Sequence, residues 1–118
     1  MPLIHAYERL GQGIDILATS PGPIKERLLK AFLQALAEMP DEALPLEARG
    51  RWRQVWQRVT AVQGRPEEGR LVASIRALTE DEATVVAEHI VTIHAIVQLT
   101  VPARGRRRMA AAQHPSRS

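Results

Sequence analysis

Four histidines, His5, His89, His94 and His114, are the side chains best suited to proton transfer or metal binding near neutral pH. His89 and His94 stand five residues apart, about 140° around a helix, whereas ligands for one metal call for an i, i+4 pair. Glu88-His89 opens like a zincin motif, but the second histidine of that motif does not follow. His94 falls at the edge of an apolar face, close in angle to Ala87 and Val91. The ordinary role of such a histidine is a core residue held by a backbone carbonyl or a neighbouring helix. The chain has no cysteine, which removes disulfides, thiol catalysis and cysteine-ligated zinc or iron–sulfur sites. The expectation is a protein with no catalytic residues, no metal and no cofactor.

Arginine offers a second chemistry. The segment Ala48 to Arg58 sets Arg49, Arg51, Arg53 and Arg58 among Trp52 and Trp56, and arginine with indole can hold phosphates and stack on bases. Arg49 and Arg53 lie one helical turn apart while Arg51 sits across the helix, so no single basic ribbon forms. The plainer role is a buried Trp52 with arginine stems laid over the helix surface. Near the end, Arg104, Arg106, Arg107 and Arg108 form a denser cluster that can engage a polyanion such as nucleic acid. Gly11-Gln12-Gly13 lacks both the preceding strand and the following Gly-Lys-Ser/Thr of a phosphate loop. Its structural meaning is close approach of another helix.

At 118 residues, 45% of them hydrophobic but only 3% aromatic, the chain supports one domain with a core of Leu, Ile, Val and Ala. The net charge of +3 divides unevenly. Residues 1–101 hold 11 Lys+Arg against 13 Asp+Glu, a balance of −2, whereas residues 102–118 hold five arginines and no acid. Only two of the 16 cations are lysine, which fits a GC-rich coding bias. Charge inside the opening PLIHAYERLGQG is unlike a signal peptide, and no apolar run reaches the ~18–20 residues of a membrane span. The expected compartment is the cytoplasm, without a membrane partner.

The elements that must position these residues are all helical. Leu3, Tyr7, Leu10, Ile14 and Leu17 repeat at steps of four and three, despite the ~1 kcal/mol that each of Gly11 and Gly13 costs in a helix interior. Thr19 to Pro23 is a break. From Ile24 to Met39, a stripe of Ile24, Leu28, Ala31, Phe32, Ala35, Leu36 and Met39 is widened by Leu29 and Leu33. Pro40 to Pro45 connects to a third helix, from about Leu46 to Gln63, with Ala48, Trp52, Val55, Val59 and Val62 on one face and Trp56 able to stack on Trp52. Gly64, Arg65 and Pro66 end it, and a short helix from Glu67 to Leu78 buries Leu71, Ile75 and Leu78.

The stretch Thr79 to Val101 organises the rest. Thr79 and Glu82 have capping-box spacing, and Glu80, Asp81 and Glu82 put negative charge on the positive end of the helix dipole. Ala83, Val86, Ala87, Ile90, Ile93, Val97 and Val101 share one face, and Val85, Ile96 and Leu99 form a second stripe roughly opposite, with Thr92 and His89 inside it. A helix apolar on two sides needs a neighbour on each. The expected fold is therefore all-α, a compact bundle of about five helices over residues 1–101, with residues 102–118 as a flexible arginine-rich tail. The expected role is a non-enzymatic interaction module. It pairs with itself or a helical partner through Val85, Ile96 and Leu99, and nucleic-acid association through the tail and the Arg/Trp helix is the alternative.

Overall fold

In the computed structural model, which describes residues 2–65 and 68–101, the five expected helices form and no strand is present among the described residues. They are α1 (Pro2–Thr19), α2 (Ile24–Ala31), α3 (Leu46–Val59), α4 (Arg70–Ala77) and α5 (Glu80–Thr100). The expected flexible tail, with Arg104, Arg106, Arg107 and Arg108, lies outside the described residues, as do His114, Pro66 and Glu67.

α5 begins where the sequence says it should. The Thr79 hydroxyl accepts from the Glu82 amide at 3.0 Å, and the Thr79 amide donates to Glu82 Oε1 at 2.8 Å. Both bonds satisfy backbone or side-chain groups that a bare helix start leaves open. They also hold the Glu82 carboxyl below its ordinary range, chiefly through the Thr79 amide. Ala83, Val86, Ile90, Ile93, Val97 and Val101 are buried, a single seam covered by α1, α2 and α3.

α1 runs straight through Gly11-Gln12-Gly13, so the glycines are helical and form no loop. Its most buried line is Ala6, Leu10, Gly13 and Leu17, while Leu3, Tyr7 and Ile14 flank it partly exposed. Small residues lead because the next helical segment presses close. A Cβ on Gly13 would lie 2.9 Å from Leu36 Cδ2, whereas one on Gly11 would meet only His94 Nε2 at 4.0 Å. At the far end Arg27 donates to the Leu17 carbonyl at 2.7 Å and the Gly22 carbonyl at 3.0 Å. That closes an open carbonyl of α1 and fixes the turn, in which Gly22 takes φ 97°, a conformation that favours glycine.

Three expectations about the helices change. The helix expected over 24–39 is α only to Ala31; Phe32–Leu36 continue as one π turn, with the Ala37 amide donating to the Phe32 carbonyl. Phe32, Ala35 and Leu36 are buried there, but Leu33, expected to widen the core, faces solvent on the opposite side. The third helix stops at Val59, short of Gln63, because Ser74 captures the chain just beyond it. The Val62 amide donates to Ser74 Oγ at 2.8 Å, and that hydroxyl donates to the Val62 carbonyl at 3.2 Å. Ser74 is buried, and this pairing meets its hydrogen-bonding need. Val62 leaves the core as a result. α4 starts at Arg70 and leaves Leu71 only partly buried. The two indoles meet tilted at 32°, and the flatter stack is Phe32 on Trp52, 6.0 Å apart at 12°.

Three substitutions test these contacts. Gly11→Ala should gain up to about 1 kcal/mol in urea unfolding, since its methyl has room and alanine favours the helix. Gly13→Ala receives the same helical gain but must push buried Leu36 aside, an overpacking cost of about 1–3 kcal/mol, and should come out less stable than Gly11→Ala. Thr79→Ala should cost about 1 kcal/mol by breaking the cap of α5.

Candidate interaction face

The residues expected to meet a partner, Val85, Ile96 and Leu99, all lie on α5. With its inner seam against α1, α2 and α3, the opposite side of α5 is uncovered by any described residue's helix. Val85 is 45% exposed, Val91 52% and Leu99 84%. Thr84, Glu88, Thr92 and Ala95 are exposed among them. Ile96 behaves differently: it is partly buried and packs on the core from the edge of the face. Of the three residues expected to form the second stripe, two lie in the open and one is divided between core and surface.

α5 is 21 residues long, and only 28% of its most apolar 18-residue window is buried in the fold. By length and composition it is apolar enough to cross a membrane, which corrects the expectation that no such run exists. The run escapes a simple count because Glu88, His89 and His94 interrupt it. Those three polar side chains and the seam packed on three other helices are the pattern of a core helix with an uncovered back, since ionisable groups in hydrocarbon are costly.

The edges of the face are held by histidine. On one side, α3 lies along α5 with Arg51 Nη1 2.8 Å from His89 Nδ1. A guanidinium can only donate, so Nδ1 is the acceptor and this contact requires an unprotonated Nδ1. Arg58 approaches Glu82 at 3.8 Å further along. On the other side, His94 stacks on Tyr7 of α1, ring centres 5.2 Å apart and planes within 9°. Burial against α1 pushes the His94 pKa down, opposed in smaller measure by the Asp15 carboxylate. Its neighbouring-helix partner is thus an aromatic ring rather than a backbone carbonyl. His89 and His94 point to opposite edges, and among the described residues no group of three His, Asp or Glu could hold a metal.

The Arg/Trp segment resolves into internal contacts. Arg49 donates to the Leu44 and Glu42 carbonyls, Arg51 to His89, and Arg53 to Asp41 at 2.7 Å. That last bond holds the Asp41 carboxyl below its ordinary range, although at this exposure such a pair contributes little to stability. Trp52 is core and Trp56 sits at its rim.

A concavity of about 590 Å³ lies between α2 and α4. Leu29, Leu33 and Ile75 line it beside Lys25, Lys30 and Arg76, with Glu26 and Glu80 in the same wall. Leu33 is the signal the helical pattern could have yielded, since it lies about 140° from the centre of the buried stripe. Lys25 is already bonded to the Arg76 carbonyl at 2.7 Å, and the opposed charges leave the groove without a clear sign.

The cost of protonating His94 gives a directed test. Its folded pKa lies below the unfolded 6.5, so the unfolded state takes up the proton first, and stability should fall as pH drops through about 6.5. His94→Phe keeps a ring on Tyr7 and should flatten that part of the pH–stability profile in thermal melts between pH 8 and 5.

Compared with protein-family models, curated proteins and solved structures, the chain matches none.

Proposed function

We propose that this chain is a non-enzymatic helical interaction module that associates with a second copy of itself through the outward face of α5. The observation that supports this most is the exposure of Val85, Val91 and Leu99 on one side of a helix whose other side is core. Isolated exposed apolar side chains are normal on any protein, but a row along 21 residues of one apolar helix is what contact surfaces present. Covering these side chains contributes about 1–3 kcal/mol each. In a two-fold pair every such gain occurs twice, and two-fold dimers are the commonest assemblies.

The nucleic-acid alternative loses support in its helical half, because Arg49, Arg51 and Arg53 are bonded within the fold and Arg58 lies near Glu82. What remains for it is Arg104, Arg106, Arg107 and Arg108, outside the described residues.

Size-exclusion light scattering of the full chain at micromolar concentration should give twice the 13.1 kDa of one chain. Leu99→Glu should return it to a monomer with its melting temperature nearly unchanged, since Leu99 is 84% exposed in the single chain. Counted at both copies, the substitution should weaken association by about 4 kcal/mol, roughly a thousand-fold. A monomeric parent protein would end the proposal. Ile96 is the wrong residue for this test, because it also packs on the core.

A further inference from the structure

Independently of the self-association argued above, we propose that the slot between α3 and the 37–41 connection binds a small, flat aromatic carboxylate, stacked on Trp56 and held at its anionic end by Arg53. The slot has a volume of about 220 Å³, with Met39, Pro40 and Asp41 on one side and Trp52, Arg53 and Trp56 on the other. Trp52 and Arg53 precede Trp56 by four and three residues, so the three share a side of α3. The π turn supplies the opposite wall. The Ala37 and Met39 amides turn back to the Phe32 and Leu36 carbonyls, and Pro40 then carries the chain in extended form into Asp41. Turns of this kind recur at functional sites. Phe32 supports both indoles, its ring centre 6.0 Å from that of Trp52 and 6.4 Å from that of Trp56. Trp52 is buried, whereas Trp56 keeps 37% of its surface open.

The polar groups select the charge of the ligand. Arg53 gives its Nε to Asp41 Oδ2 at 2.7 Å, and the Glu42 backbone also bonds that carboxylate, so the acceptors of Asp41 are engaged. The Nη1 and Nη2 amino groups of Arg53 hold no acceptor among the described residues. A guanidinium presents these donors as a planar fork that matches the two oxygens of a carboxylate. The ion pair with Asp41 adds little stability at this exposure, but it fixes the direction of the fork. The Trp56, Pro40 and Met39 surfaces seat the other end of the ligand. An indole face favours a flat ring, and the flexible thioether adapts to the ring's edge. Size sets the limit. At ~30 Å³ per water the slot replaces about seven waters, room for one fused ring with a short acidic arm but not for a base, sugar and phosphate together. A single open fork beside such a slot suits one small anion rather than the repeating phosphates of a nucleic acid.

The chain has two tryptophans and both line this slot, so their indole N–H signals report on it directly. In proton–nitrogen correlation spectra of the full chain, naphthalene-2-carboxylate should shift both signals saturably. Its neutral amide should bind roughly ten-fold more weakly, for want of the charge-assisted bonds to Arg53. Arg53→Gln should lower the affinity for the carboxylate to that for the amide and leave the amide's own binding unchanged, a split that lost packing would not produce. Trp56→Leu should weaken both ligands. Equal affinities of the parent protein for carboxylate and amide would overturn the role of Arg53. Indole signals unmoved by millimolar carboxylate would overturn the site. Tighter binding of adenosine monophosphate than of the naphthalene carboxylate would overturn the ligand class and make the slot a nucleotide site.

Discussion

The burial of one seam of α5, Ala83, Val86, Ile90, Ile93, Val97 and Val101, against α1, α2 and α3 is the contact on which the other features depend. Aliphatic side chains at steps of three and four remove a continuous apolar strip from water, and non-directional burial of this kind is the main favourable term in folding. With few aromatic side chains to add bulk, the core depends on close approach. Gly13 supplies it where α1 meets Leu36, and Phe32 and Trp52 add two flat rings stacked on each other.

Because the seam occupies a single side of α5, the same packing that stabilises the fold exposes the other side. Three helices cover one face, and both edges are sealed by histidines whose partners, Arg51 and Tyr7, come from α3 and α1. The Arg51–His89 contact uses an imidazole nitrogen as acceptor, and burial beside Tyr7 favours the neutral form of His94. The outward stripe of Val85, Val91 and Leu99 is left at the back of the helix best supported from behind. In the proposed pair, a helix presenting apolar side chains loses little conformational freedom.

The polar groups mostly serve the fold. Ser74 ends α3 by taking both backbone groups of Val62, Arg27 joins the end of α1 to the start of α2, and Arg49 ties down the 42–44 connection. Arginines that in sequence look available for phosphate are engaged in this way because a long side chain with several donors reaches carbonyls left open at helix ends. This local arithmetic separates the Arg/Trp helix from the tail, where four arginines stand in five positions with no acid nearby in sequence.

The sequence by itself determined the helical class, the five segments, the Thr79–Glu82 cap and the inner seam of α5, because these depend on periodicity and on neighbours three or four residues away. It also placed Val85 and Leu99 on a second stripe. Only the tertiary structure decided that this stripe lacks a cover among the described helices, that Ile96 leans on the core, that Leu33 faces outward and that α3 stops where Ser74 meets it. Those outcomes depend on which helix packs against which side, and on contacts between residues as far apart as Val62 and Ser74 or Arg51 and His89. Periodicity reports which faces are apolar; it carries no information on which of them the chain has enough helices to bury.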